Sequence, residues 1–162
     1  MDHPVSPHSW RSWVEAHGSR FLLFARDQTR CEADAQDVLQ EALVEAWQRA
    51  GGATPDLPLV FATIRRRAID LARSNDRRAR REEISPEWFS TATTGEPETD
   101  VDLESAVKAL PASLREVVVL KTWSGLTFQE VAQALDIPAN TAASRYRYAI
   151  ERLRESLKEA QL

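Results

Sequence analysis

A single cysteine, Cys31, means that this chain can close no internal disulfide. A lone cysteine most often serves as a small core residue, and that is the expectation here. The histidines number only three, His3, His8 and His17, with no companion cysteine and no ligand spacing. No metal and no other cofactor is therefore expected. Only five glycines occur, none in a phosphate-cradling loop. There is no carboxylate cluster at metal-binding spacing and no nucleophile–base motif, so the chain does not read as an enzyme. No apolar run is long enough to cross a bilayer, and MDHPVSPHSW lacks the basic-then-apolar order of a secretion signal. The expected location is the cytoplasm, without membrane insertion. Basic charge is missing from one stretch altogether. Residues 84–104 hold six acidic side chains and no basic one, whereas 1–83 hold 13 of each and 105–162 hold eight basic against six acidic. The net charge of −4 thus arises mainly in the middle of the chain.

What is present is helical periodicity throughout. From Trp10 to about Arg30, Trp10, Trp13, Val14, Phe21, Leu22 and Ala25 recur at three and four. A second helix runs to about Ala50 with Asp34 as its expected N-cap. Its apolar side is Val38, Leu39, Ala42, Leu43, Ala46 and Trp47, and Asp37, Glu41 and Glu45 form an acidic row. On pattern alone that row reads as a solvated face. After a loop, GGATPD, a third helix from Leu57 buries Val60, Phe61, Ile64, Ala68, Leu71 and Ala72. Its outside is basic: residues 65–81 carry eight Arg and no Lys against Asp70 and Asp76. Arginine grips phosphate bidentately and stacks on bases, so this strip reads as a polyanion-binding face with little acidic charge nearby to balance it.

Residues 84–100, with two Pro, several Ser and Thr and only acidic charge, read as a linker, within which Trp88 and Phe89 are the apolar exceptions. Beyond it lie a short helix at 103–110, a helix opened by Pro111, and then SGLTFQEVAQALDIPANTAASRYRYAIERLRESL. In that stretch Thr127 and Glu130 form a capping box, and Val131, Ala132 and Leu135 give one apolar stripe. Asp136-Ile137-Pro138 breaks the helix, and a longer helix follows. On it Ala142, Tyr146, Ala149, Leu153 and Leu157 share one face, with Asn140, Ser144, Arg147 and Tyr148 opposite. A short helix, a three-residue turn and a helix with a polar N-terminal face form a helix-turn-helix, whose second helix can enter a major groove. The bland alternative is an ordinary helical hairpin.

Taken together these segments resemble a family. DAQDVLQEALVEAW is similar to the core-polymerase-binding helix of bacterial sigma factors. LPLVFATIRRRAIDLAR, with its Arg-rich continuation, resembles their −10 recognition and melting segment. LPASLREVVVLKTWSGLTFQEVAQALDIPANTAASRYRYAIERLRESL resembles their −35-binding domain. This order in a short chain matches the extracytoplasmic-function (ECF) group. The resemblance implies an all-α fold of two small helical domains joined by an acidic linker: 1–83 similar to sigma region 2, 84–101 the linker, and 102–162 similar to region 4, a four-helix domain with the helix-turn-helix. It implies a sigma factor that binds core RNA polymerase and directs promoter recognition, −10 melting and initiation.

The resemblance also distributes roles. Asp34, Asp37, Gln40 and Glu41 would dock on the clamp helices of the largest polymerase subunit, which turns the solvated row into an interface. Arg65, Arg66, Arg67, Arg73 and Arg77 would serve the −10 element. Ser144 and Arg147 would face base edges of the −35 element, with Asn140, Thr141 and Arg145 nearer phosphates. The linker would thread the RNA-exit path and yield to the transcript. An anti-sigma factor is an implied partner beside polymerase and promoter DNA. The chain departs from the family pattern at Leu59 and Arg66, where Trp and Asn are frequent, at Asp136, where Gly is usual, and at Ala143, where a basic residue is frequent. The loop before the third helix is short and lacks an aromatic. The competing reading is a free-standing helix-turn-helix regulator that binds duplex DNA without polymerase. Such a regulator needs neither the acidic second helix nor the Arg-rich third.

Overall fold

A computed structural model describes residues 7–81 and 103–160. The expected linker at 84–101, with Trp88 and Phe89, lies outside the described residues. The described residues are all helical: α1 (Pro7–Gln28), α2 (Glu32–Ala50), α3 (Leu57–Arg81), α4 (Leu103–Lys108), α5 (Ala112–Val118), α6 (Phe128–Leu135) and α7 (Ala139–Ala160).

Helices α1, α2 and α3 pack around three aromatic rings. Phe21, Phe24 and Phe61 are fully buried, and Phe61 meets Phe21 and Phe24 edge-on at 5.1 and 5.6 Å between centroids. Edge-to-face geometry suits the quadrupole of aromatic rings. The α1 periodicity reaches the core as expected, but Phe24 belongs to it as well. Pro7 opens α1 a turn earlier than Trp10, a position where its missing N–H costs nothing. Trp10 stacks on Trp13 at 5.0 Å and meets Trp47 edge-on at 4.4 Å. Trp47 therefore packs at the rim, 36% exposed, rather than in the core.

Three local expectations change. The α2 N-cap is Cys31, in extended backbone and without a side-chain cap bond, so Asp34 lies inside the first turn. There its charge still suits the positive end of the helix. Cys31 is exposed and not a core residue. The start of α2 is instead held by Arg26, which donates twice to the Glu32 carboxylate at 2.7 and 2.8 Å. On α3, Ala72 is exposed, because the helix runs past the end of the core at Ala68.

In the C-terminal half, the helix opened by Pro111 does not continue regularly to Trp123. From Val119 to Trp123 it widens into a π-helical turn, with the Ser124 N–H donating to the Val119 carbonyl at 3.1 Å. The phase shift buries Leu120 fully and leaves Trp123 40% exposed. The capping box at the start of α6 is formed both ways: the Glu130 N–H donates to Thr127 Oγ1 at 3.1 Å and the Thr127 N–H to Glu130 Oε1 at 3.0 Å. Asp136 ends α6 at φ 55°, the left-handed conformation usually given to Gly.

Two apolar cores result. One lies within the C-terminal half and joins Ala106, Val107, Leu110, Leu114, Val118, Ala149 and Leu153. The other runs from Phe21, Phe24 and Phe61 across to Val117, Leu120, Val131, Leu135 and Ala142. The two halves are thus packed on one another, chiefly through α6 on α3 and α1 on the π-helical turn.

Candidate nucleic-acid interface

Helix α7 is oriented by its apolar face. Ala142, Ala149 and Leu153 are buried, which turns Asn140, Ser144, Arg147 and Tyr148 outward. Thr141 and Arg145 are half-buried at the edges of that face. All five residues expected at the −35 element lie on the N-terminal half of one helix, preceded by a three-residue turn. Arg152 lies over the Tyr148 ring at 5.9 Å, which places a cation beside the exposed aromatic.

The Arg-rich α3 divides into two parts. Arg73 and Arg77 are exposed and have no carboxylate partner among the described residues. Ser74, Arg77, Arg78 and Arg81 surround a shallow hollow of about 390 Å³. Nearer the core the strip is balanced by acid, contrary to its sequence reading. Arg66 and Arg67 both donate to Glu45, and Arg67 also donates to Glu41 at 2.9 Å. Arg65 donates to Glu116 of the C-terminal half at 3.0 Å. The acidic row of α2 is split accordingly. Asp37 and Gln40 face solvent, and Glu41 is 62% exposed despite its pairing. Glu45 turns into α3 and keeps only 15% of its side chain exposed.

Burial pushes the Glu45 carboxyl up, but the bonds from Arg66 and Arg67 outweigh it and hold the group below its ordinary value. A carboxylate depressed on folding contributes stability above its unfolded pKa and loses it as pH falls through the folded one. Stability is therefore expected to decline below about pH 4.5. Glu45→Gln should flatten that decline in urea midpoints measured between about pH 5 and 3. An unchanged slope in the variant would reject the assignment.

A second surface borders the same arginines. A groove of about 650 Å³ is walled by Arg49, Leu59, Arg66 and Arg73 on one side and by Gln133 and Leu135 of α6 on the other. Helix α6 thus stands beside the face of α3 expected to meet the −10 element.

The comparisons with known proteins decide what this arrangement belongs to. The Sigma-70 region 2 family matches residues 13–78, and the Sigma-70, region 4 family matches 100–153. The RNA polymerase sigma-E factor of Streptomyces avermitilis is 32% identical over 157 residues, which cover 94% of this chain and 87% of that protein. This chain belongs to the ECF sigma factors. ECF RNA polymerase sigma factor SigL of Mycobacterium tuberculosis is 30% identical over 162 residues, 92% of this chain and 89% of the relative. The fold agrees with that of the sigma factor RpoE from Bartonella quintana, solved in complex with the anti-sigma factor NepR, at a TM-score of 0.69 and 22% identity over 91% of this chain and 96% of that one. It also agrees with CnrH, solved with the cytosolic domain of CnrY, at a TM-score of 0.65 and 24% identity over 94% and 89%. As a sigma factor the protein binds RNA polymerase and directs promoter recognition and initiation. No helix among the described residues is long and apolar enough to cross a membrane.

Sequence reasoning missed one group of residues in this sigma factor: Asp27, Gln28, Arg115 and Glu116. A signal was available. Glu116 sits between Leu114 and Val117 on the apolar side of its helix, and a carboxylate there requires a cationic partner when buried.

Proposed function

We propose that this sigma factor uses faces of three helices for its three contacts. Asp34, Asp37, Gln40 and Glu41 on α2 dock on the clamp helices of the largest polymerase subunit. Arg65, Arg66, Arg67, Arg73 and Arg77 on α3 meet the −10 element, where positive charge holds the separated strands. On α7, Ser144 and Arg147 read base edges of the −35 element while Asn140, Thr141 and Arg145 contact phosphates. The domains divide as 1–83, 84–101 and 102–162.

The observation that carries this reading is the separation of roles by exposure. Asp37 and Gln40 face outward from α2 on a side that the arginines of α3 do not cover, so one face of α2 is left for a protein partner. Arg66 and Arg67 are held against Glu45 of α2, and each keeps a third or more of its side chain exposed for phosphate.

The test is run-off transcription with core polymerase on genomic DNA, with start sites mapped. Asp37→Arg is expected to abolish co-purification with core polymerase and to leave the circular dichroism spectrum unchanged, because Asp37 is exposed. Retained co-purification would exclude the α2 face as the polymerase contact.

The packed arrangement of the two halves suits a polymerase-free form. Helix α6 stands beside the α3 face that DNA must reach, and Glu116 of the C-terminal half holds Arg65 of that face, so full promoter engagement requires the halves to part. An anti-sigma factor is the fitting antagonist, since both solved neighbours were determined with such a partner or with the cytosolic domain of CnrY.

A further inference from the structure

A chain of polar contacts crosses the junction between the halves. Arg115 on α5 donates to Asp27 Oδ1 on α1 at 2.6 Å. The other oxygen, Asp27 Oδ2, accepts from the Gln28 amide at 3.0 Å. The same amide nitrogen donates to Glu116 Oε2 on α5 at 3.2 Å. Glu116 then accepts from Arg65 on α3, Nε to Oε2 at 3.0 Å and Nη2 to Oε1 at 3.4 Å. Both carboxylates are almost fully withdrawn from water, with 6% of the Asp27 side chain and 8% of the Glu116 side chain exposed. Two carboxylates and two guanidiniums make the group neutral, and every carboxylate oxygen in it has a donor.

We infer that this cluster is an autoinhibitory latch in which the Glu116 carboxylate occupies the place of a DNA phosphate on Arg65. The inference rests on the sigma-factor reading of α3. Three physical points support it. First, the bonds are directional and span α1, α3 and α5, so they fix the register of two halves that also share a non-directional apolar core. Second, a carboxylate and a phosphate compete for the same guanidinium fork, so the closed form and the DNA-bound form cannot both have Arg65. Third, the cost of desolvating a buried ion pair largely offsets its attraction. When the halves part, all four charged groups return to water, so the latch can open without leaving a charge stranded in an apolar core.

The experiment uses the full chain with spin labels on Cys31 and on a second cysteine introduced as Ser156→Cys. Both positions are exposed, and Cys31 is the chain's own and sole cysteine. Wild type is expected to give one dominant distance between labels. Glu116→Gln and Asp27→Asn, made separately, are each expected to add a longer and broader population. Opening should also raise apparent affinity for a single-stranded DNA oligonucleotide, because Arg65 is then free to take a phosphate. If about a tenth of wild-type molecules are open, full opening gives roughly a tenfold gain. Two variants at different links are used so that one can misfold without ending the test, and a cooperative thermal melt identifies which are folded. A folded variant with the wild-type distance distribution overturns the latch. A variant that opens without tighter binding of that oligonucleotide overturns its inhibitory role. Failure of the wild type itself to bind polymerase or start transcription would instead sink the sigma-factor reading, and the distance measurement would still report on the latch.

Discussion

Phe61→Ala should remove most of the stability of the N-terminal half. The ring is 1% exposed and sits where α1 and α3 meet, edge-on to both Phe21 and Phe24. Truncating a buried Phe to Ala costs about 3–5 kcal/mol, because the surrounding helices only partly close the cavity. Two aromatic contacts are lost with it, and such pairs contribute about 0.5–1.5 kcal/mol each beyond area. A domain of this kind has only about 5–15 kcal/mol in total. Guanidinium denaturation should therefore show a midpoint shifted far toward water, with loss of helical signal at low denaturant. The same core continues to Val117, Leu120 and Leu135, so the damage should reach the junction with the C-terminal half. A loss below about 1.5 kcal/mol would mean that the site repacks and that the three rings are not the centre of the fold.

The second large effect concerns DNA. Arg147→Ala is expected to cost about 1–3 kcal/mol at the promoter, roughly fivefold to 150-fold in initiation from −35-dependent start sites. It should also relax the sequence preference at one position of the −35 element. Arg147 is exposed on the polar face of α7 and its removal leaves no hole, so stability should stay within about 0.5 kcal/mol. Arg145, half-buried at the edge of the same face, provides the contrast. Arg145→Ala should weaken binding evenly across sequences and reduce the salt slope by about one. Run-off transcription on a panel of −35 variants, at two salt concentrations, separates the two outcomes. Equal behaviour of both variants across the panel would remove Arg147 from base readout. On the proposed reading Ala143 offers no charge to phosphate beside these residues. The −35 contacts would then suffice if polymerase held both halves at fixed spacing, which would raise their effective concentration on DNA.

The helices were legible because their periodicity is strong and their ends carry explicit signals. The Thr127–Glu130 box and the polar face of α7 stand where the residues placed them. Errors arose where the environment outside a helix decides the outcome. Cys31 was expected inside, but it caps α2 from an exposed extended residue. The acidic row looked uniform along α2, yet only the helix beyond it determines that Glu45 faces arginine while Asp37 faces water. The Arg strip looked unbalanced because its counter-charges lie 21 to 51 residues away in sequence. The π-helical turn left no signal in the apolar run that contains it, although its phase puts Leu120 inside and Trp123 at the surface. The Asp27–Arg115 and Arg65–Glu116 pairs join residues whose proximity depends on how the halves pack, which no local pattern encodes.

The two cores differ in how they constrain change over generations. The core of Val107, Leu110, Leu114, Val118 and Leu153 is drawn from one contiguous stretch, so its members can drift in concert without consulting the rest of the chain. Val117 and Leu120, on the same stretch of helix, answer to two neighbourhoods at once, because they also pack against the N-terminal half. Substitutions there must therefore suit both. The outward face of α7 carries no such double demand, since Asn140, Ser144, Arg147 and Tyr148 belong to neither core and can change without disturbing the seam between the halves.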